Sequence, residues 1–233
     1  MSELFSIQLQ NRQQQSRDGV WLDLPTTTEQ VQAALRQIGI SSDNPQGLFI
    51  SGYFAEEEKR FAISYNMVLA SNVDELNFLA SRLETLSTGE RAELNAALQA
   101  PQSELFSIGR ITDFPENVDY YVHLPDVHGP AQLGDYYLNR SGMVNMPEEW
   151  KGGIDTAQFG RYVAQQEQGA FTQYGYLVKS GDEWQKVHEG QPVPEEYRVL
   201  SFPAPEVLRD SANIPPPVQP ETEPQKVIPI ILN

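Results

Sequence analysis

The sequence predicts an α+β protein of three small units followed by a C-terminal extension. Strand-like alternation of apolar and polar residues switches repeatedly to helical spacing behind clear helix caps. Hydrophobic residues make up 39% of the chain, enough to form packed cores. The predicted units are an antiparallel sheet plus helix (1–67), a helical hairpin or bundle (68–108), a mixed sheet plus helices (109–178) and the extension (179–233).

The N-terminal unit is predicted to contain three strands and one helix. The segments FSIQLQ, GVWLDLP (19–25) and GLFISGYF (47–54) have the strand pattern. Between the second and third strands, Thr26 and Glu29 have the spacing of a capping box. The apolar residues that follow recur at helical spacing up to Gly39, where we expect the helix to end.

Two helices are predicted for the central unit. Asn72 can cap the first helix, and Ser87 with Glu90 forms a capping box for the second. Pro101 closes this helical hairpin. Two helices cannot bury both of their faces alone, so the pair must pack on a neighbouring unit.

The C-terminal unit is predicted to alternate strands and helices. DYYVHLP (119–125) has a strand pattern, and Pro130 suits the first turn of a helix that Gly142 ends. A second helix is expected over 155–168, with Phe159, Tyr162 and Val163 facing inward, and one strand over 169–178. In the extension, EWQKVHEG and EEYRVLSF can pair as a hairpin through Gln191-Pro192, before a Pro-rich tail after Phe202.

Composition excludes several classes of protein. The chain has no Cys, which excludes disulfides, Cys nucleophiles and thiolate metal sites and fits a reducing cytoplasm. The N-terminus lacks the pattern of a signal peptide, and no apolar run approaches the ~18 residues of a membrane span. We therefore expect a cytoplasmic protein with no membrane partner and no cofactor.

Charge is the strongest functional signal. There are 32 acids and 16 bases, a net charge of −16, and the acids are spread through segments that have folded patterns. Such a surface repels nucleic acid and attracts proteins that bind nucleic acid. The alternative is that the acids serve only solubility. Over 111–136 there are five acids and no Lys or Arg: Asp113, Glu116, Asp119, Asp126 and Asp135.

Two alternatives involve chemistry. His123, Asp126 and His128 lie within six residues, the density of a metal site, but a strand running into a loop does not hold them on one face. Surface histidines are the favoured interpretation. Abundant carboxylates also leave an acidic hydrolase open, although the G-x-S-x-G, G-x-G-x-x-G and phosphate-loop motifs do not occur.

Three ordered segments resemble the ArdA-type antirestriction family. They are GVWLDLPTTTEQVQAALRQIGI after an N-terminal strand, NVDELNFLASRLETLS, and the run from AQLGDYYLNRSG through MPEEW to IDTAQFGRYVAQQEQGAFTQYGYLV. The likeness covers roughly residues 4–178. It implies an elongated, dimeric, non-enzymatic DNA mimic that occupies the DNA groove of type I restriction–modification enzymes and blocks their action on incoming DNA.

The resemblance implies that the acidic surface binds the DNA groove of a restriction enzyme. We predict that Asp113, Glu116, Asp119, Asp126 and Asp135, with Glu56, Glu57 and Glu58 second, contact basic grooves in place of phosphates. The resemblance places the family's antirestriction motif on the helix at 132–143, which carries only Asp135 as an acid, so packing or dimerisation is its expected role. The predicted interface comprises Leu133, Tyr136, Tyr137 and Leu138. The same mimicry aimed at another DNA-binding machine, such as a CRISPR effector, is the closest alternative.

Overall fold

The computed structural model describes residues 3–13, 19–41, 47–101 and 103–200. It confirms a mixed α+β fold with two small antiparallel sheets and about eight helices. The Pro-rich tail after Phe202 lies outside the described residues. Within the described ranges, no helix is long and apolar enough to cross a bilayer.

The first sheet has the strand order β2-β1-β3 and is antiparallel throughout. Its strands are β1 (Phe5–Asn11), β2 (Val20–Leu24) and β3 (Leu48–Phe54). Side chains alternate between the two faces of β1, so Phe5, Ile7 and Leu9 are buried while the intervening polar residues are half-exposed. Helix α1 (Thr28–Gln37) buries Val31, Ala34 and Leu35.

The cap of α1 lies one residue later than predicted. Thr27, not Thr26, is the N-cap. Its side chain accepts from the backbone N–H of Gln30, and the side chain of Gln30, not that of Glu29, accepts from the backbone N–H of Thr27. Thr26 is instead buried, and its backbone N–H donates to Asn77 Oδ1 at 2.7 Å. Thr26 is thus held by a residue 51 positions away in the sequence, a contact that the local cap pattern does not reveal.

The central helices follow the predicted caps. After a short α2 (Tyr65–Leu69) come α3 (Val73–Glu84) and α4 (Thr88–Gln99), capped by Asn72 with Glu75 and by Ser87 with Glu90. Leu76, Leu79 and Leu83 of α3 are fully buried. They belong to a hydrophobic cluster that continues from the first sheet to Leu177 and Val199.

The C-terminal region contains a second sheet, with strand order β4-β6-β5. Its strands are β4 (Tyr121–Leu124), β5 (Ala170–Thr172) and β6 (Gly175–Lys179), and all pairs are antiparallel rather than mixed. The single strand predicted over 169–178 is wrong, because the segment turns back on itself as the β5–β6 hairpin. Gly175 adopts φ +119° at this turn and lies against the backbone of Leu124.

The remaining elements are short helices. They are α5 (Ile108–Thr112), α6 (Pro130–Asp135), α7 (Glu148–Lys151), α8 (Thr156–Glu167), a π-helical turn at Tyr136–Arg140, and 3₁₀ turns at Glu57–Lys59, Phe114–Glu116, Val118–Tyr120 and Glu195–Tyr197. The hairpin predicted in the extension is wrong for its described residues, since 180–200 contains one 3₁₀ turn and no strand. Tyr162 is 60% exposed on α8, not inward.

Helices α6 and α8 cross at backbone contact. A Cβ atom on Gly134 would lie 2.0 Å from the carbonyl oxygen of Thr156, and one on Gly160 would lie 1.8 Å from that of Pro130. Neither oxygen belongs to a flexible side chain that can move away. The crossing therefore requires glycine at both positions.

We expect Gly160→Ala to destabilise the protein by about 1–3 kcal/mol, the usual cost of forcing extra volume into a packed contact. Thermal unfolding followed by circular dichroism measures the change. Gly89→Ala is the matched control, because nothing lies within 4 Å of a Cβ at this position of α4. A Gly160→Ala protein as stable as the control would contradict the close crossing.

Candidate acidic binding surface

Asp113 is not a surface acid. Its side chain is completely buried. Oδ1 accepts a hydrogen bond from the backbone N–H of His188 at 2.6 Å, and Oδ2 accepts from Val187 at 3.3 Å and Glu189 at 3.1 Å. The prediction that Asp113 contacts a partner is therefore wrong, because its carboxylate is occupied inside the fold.

Glu116 is also committed within the chain. It accepts from Arg82 of α3, and both side chains are partly buried. This ion pair neutralises the charge that the sequence assigned to the surface. Glu116 remains a half-exposed residue with little net field of its own.

The other predicted acids of this region differ in accessibility. Asp119 and Asp126 are exposed, and neither has a hydrogen bond or ion pair with the described part of the chain. Asp135 is half-exposed, lies 3.4 Å from Arg140 and accepts from Asn139 Nδ2 at 2.8 Å. Asp119 and Asp126 are thus the members of the predicted set that retain a full, accessible charge.

The acidic run at 56–58 lies in and just before the 3₁₀ turn that follows β3. Glu56 forms an exposed ion pair with Lys59 at 3.1 Å. Glu57 is exposed and carries no ion pair within the described ranges. The side chain of Glu58 lies outside the described residues, so its place on this surface remains a prediction.

A further acidic group was missed by sequence reasoning. Glu93 of α4 lies in the field of Glu90 and of Asp119, and we call these three residues the α4 acidic face. Burial, then Glu90 and Asp119, raise the pKa of Glu93 to about 8. Its Oε1 is buried without a hydrogen-bond partner in the described structure. The i, i+3 spacing of Glu90 and Glu93 signalled a shared helix face, but not its proximity to Asp119.

Several basic side chains form ion pairs within the described part of the chain. Glu104 accepts from Lys179 and Tyr120 and lies 3.5 Å from Arg110, and its bond with Lys179 is the main cause of its lowered pKa. Ion pairs also engage Lys59, Arg82, Arg140, Lys151 and Lys186. Because each pair cancels one acid with one base, the surplus of acids determines the sign of the outward field.

The histidines considered for a metal site do not converge. His123 Nε2 lies 2.7 Å from the carbonyl oxygen of Tyr174, while Asp126 and His128 are exposed. Within the described ranges, the residues that bring ligand atoms within 4.8 Å of one another are Asp113, Glu116 and His188. Backbone N–H groups occupy both oxygens of Asp113, and Arg82 binds Oε1 of Glu116, while Glu116 Oε2 is buried without a hydrogen-bond partner in the described structure.

A cavity of about 740 Å³ lies between α2, α3, α5 and residues 188–193. Its wall includes Phe78, Ile108 and Phe106. Among the polar side chains on this wall, Glu75 completes the cap of α3 and Ser107 caps α5. The ring of His188 packs against Phe78, and Glu189 lies 3.6 Å from Lys186.

Two of the predicted dimer residues are buried in their own chain. Leu133 and Leu138 are inaccessible, and Leu133 packs in a cluster with Val127 and Tyr176. Tyr137 is partly buried and donates to Glu167 Oε1 at 2.5 Å, while Tyr136 is half-exposed. The two leucines are therefore wrong as interface residues, because both are buried within their own chain, Leu133 in a cluster that Val163 and Ala164 of α8 help to cover.

Comparison with known proteins identifies the family. A protein-family profile described as antirestriction protein (ArdA) matches residues 14–178. Comparison with curated protein sequences gives no match. The matched family consists of non-enzymatic inhibitors, so the hydrolase alternative is wrong. Since the match covers well over half of the sequence, the chain belongs to the ArdA family of antirestriction proteins.

Proposed function

We propose that this protein inhibits type I restriction–modification enzymes by occupying their DNA-binding groove. Family membership implies antirestriction, which is inhibition of restriction enzymes. The observation that supports a groove-binding mode is the partition of charge. A net charge of −16 remains while many bases are held in internal ion pairs. The surplus negative charge is thus available to a basic partner.

Electrostatics explains how such a surface can replace DNA. Duplex DNA presents one charge per ~1.7 Å of axis, and a groove that binds it is lined with Lys and Arg. Residues 1–178 have a net charge of −12, so two copies would carry about as much charge as roughly 40 Å of duplex. Carboxylate oxygens can accept hydrogen bonds from these Lys and Arg side chains, as phosphate oxygens do.

The structure revises the proposed contact residues. Asp119, Asp126 and Glu57 remain as exposed acids without hydrogen bonds or ion pairs in the described ranges; Glu90 is a secondary candidate, because it is half-exposed and accepts from Ser87 N in the cap of α4. Asp135 and Glu56 are secondary, because each is paired with a neighbouring base. Asp113 and Glu116 are removed from the set.

The charge pattern does not by itself select one DNA-binding enzyme. Any groove that tracks a phosphate backbone has the same sign of field. Binding assays should therefore include a CRISPR effector beside the type I enzyme. Tight, stoichiometric binding to the effector alone would transfer the proposal to that target.

We further propose a homodimer formed through 109–178, with an interface other than the buried leucines. Met143, Trp150 and Tyr162 are each at least 60% exposed in this region. Large exposed apolar residues are common at protein interfaces. A second copy is the proposed partner for this surface.

Light scattering tests the dimer. We expect twice the chain mass at micromolar concentration, and a shift towards the monomer for Trp150→Ser with Tyr162→Ser. Val122→Ser is the control, because Val122 is also exposed but lies on β4. A wild-type monomer across this range would refute the dimer without affecting groove binding.

Graded charge removal tests the mimicry. Asp119→Asn, Asp126→Asn and Glu57→Gln should each weaken inhibition a few-fold, since an exposed ion pair contributes ~0.2–1 kcal/mol. The triple variant should lose roughly the product of these factors. Its control exchanges the same residues for the other acid, Asp119→Glu, Asp126→Glu and Glu57→Asp, which keeps the charge. Inhibition is measured by displacement of duplex DNA from the purified type I enzyme.

In the same assay, displacement of DNA should weaken steeply as the salt concentration rises, because surface fields are screened beyond ~8–10 Å at physiological ionic strength. A folded triple variant that displaces DNA as well as wild type would argue against these contacts. Inhibition by far less than one protein per binding site would exclude a decoy, since a decoy does not turn over.

Stability should respond to the protonation of Glu93. Its pKa rises from 4.5 in the unfolded chain to about 8 in the fold, so the folded state holds this proton more tightly. The stability from this group is fully present below pH 4.5 and is lost as pH rises through 8. We expect Glu93→Gln to match wild type near pH 5 and to have the higher melting temperature above pH 8. A constant difference between the two proteins across this range would contradict the raised pKa.

A further inference from the structure

Residues 180–200 follow the family match, which ends at 178, and we call this segment the strap. Apart from one 3₁₀ turn, the strap has no regular secondary structure. Its backbone is nevertheless bonded to the side chains of Asp113 and Asn117, which follow α5, and of Asp74 in α3, all far away in sequence. The strap therefore belongs to the folded core, although the family profile does not include it.

The first attachment is at Asp113 and Asn117. Asp113 accepts the backbone N–H groups of residues 187–189, as described above. Asn117 accepts from Gln185 N at 2.7 Å, and its Nδ2 donates to Gln185 O at 3.0 Å. A buried carboxylate is costly without such bonds, so loss of the strap would leave Asp113 unsatisfied.

The second attachment is on α3. Asp74 Oδ1 accepts from Val199 N at 2.8 Å and from Leu200 N at 2.7 Å. The buried Asn77 donates to Tyr197 O at 3.0 Å, and its Oδ1 accepts from Thr26 N. This one amide thus joins the strap, α3 and the segment between β2 and α1.

Aromatic contacts fill the space between the two attachments. Trp184 packs edge-on against Tyr120 at 5.1 Å between ring centroids. Phe78 of α3 contacts the rings of both His188, at 4.9 Å, and Tyr197, at 4.6 Å. The strap is consequently packed as well as hydrogen-bonded.

We propose that the strap is a positioning device that fixes the spacing between acids on different parts of the molecule. It starts from β6, crosses the region of α5 and ends on α3, which contacts the N-terminal unit through Asn77. Glu57 lies in the N-terminal unit, Asp119 lies two residues after the attachment at Asn117, and Asp126 follows β4, which pairs with β6. This inference rests on the proposed groove binding.

Fixed spacing matters because the enzyme's DNA-binding groove holds its Lys and Arg side chains at set intervals. A decoy whose acidic groups move relative to one another must be ordered upon binding, and this ordering lowers its affinity. Asp113 and Asp74 act in this scheme through the strap, without touching the target. They are positioning residues.

The test compares Asp113→Asn and Asp74→Asn with Glu3→Gln, which removes one charge from an exposed residue outside these contacts. The chain has no Cys, so Gln37→Cys and Gln158→Cys allow dye labelling of α1 and α8 in each background. Energy transfer between the dyes reports the distance distribution. Displacement of duplex DNA from the type I enzyme reports function, and hydrogen exchange at 187–189 reports strap release.

We expect Asp113→Asn to speed exchange at 187–189, broaden the dye distances and weaken displacement at least about five-fold, while Glu3→Gln changes displacement less than two-fold. Truncation after Leu200 should match wild type in all three readouts. Faster exchange with unchanged distances and displacement would overturn the inference. If Asp113→Asn fails to fold, Asp74→Asn, which frees only the end of the strap, decides by the same criteria.

Failure of the two proposals is distinguishable. If the wild-type protein does not displace DNA, groove binding is refuted. The dye distances and exchange rates still decide whether the strap holds the parts together. If wild type displaces DNA and both aspartate variants do so equally well, the strap inference alone is refuted.

Discussion

The buried carboxylate of Asp113 links the helical part of the protein to the segment that follows the last strand. Its oxygens accept three backbone N–H groups from residues 187–189, so an otherwise irregular stretch has one defined path. That path brings His188 and Tyr197 against Phe78 and forms one wall of the cavity beside α5. Without this bonding, a charge would be left inside the core with no partner.

A second constraint is the use of basic residues in ion pairs within the chain. Arg82, Arg110 and Lys179 are used to bind parts of the chain together. Each of these pairs joins residues from different elements, so it contributes to the arrangement of the fold as well as cancelling a base. The acids left over, such as Asp119 and Asp126, are where solvent or a partner can reach them. Internal cohesion and an acidic exterior thus come from the same distribution of charges.

Local patterns were sufficient to predict much of the fold. Asn72 and Ser87 start helices where their capping signals indicated, and β1, β2 and β3 follow the alternation of apolar residues. These features depend on neighbours within a few positions. The family resemblance, read from ordered motifs over 4–178, was confirmed by the match to 14–178.

The predictions were wrong where contacts between residues far apart in sequence determine the structure. Nothing near Asp113 in the sequence reveals that residues 187–189 surround it, so an acid in an acid-rich run was taken for a surface residue. The leucines at 133 and 138 looked like an uncovered apolar face because the glycine crossing with α8 cannot be seen from either helix alone. The predicted set of contact acids was therefore only partly compatible with the structure.

The strap also bears on how the chain folds during synthesis. Domains generally fold as the chain emerges, at about 5–20 residues per second, with N-terminal parts first. Asp113 is made well before residues 187–189, so its carboxylate must wait in water, or in a half-built core, until its partners arrive. The hydrogen bonds of Asp113 can therefore be completed only after residues 187–189 have been synthesised. A released chain that ended before residue 187 would contain the whole family region, 14–178, but would lack the backbone N–H groups that bond to the buried carboxylate of Asp113.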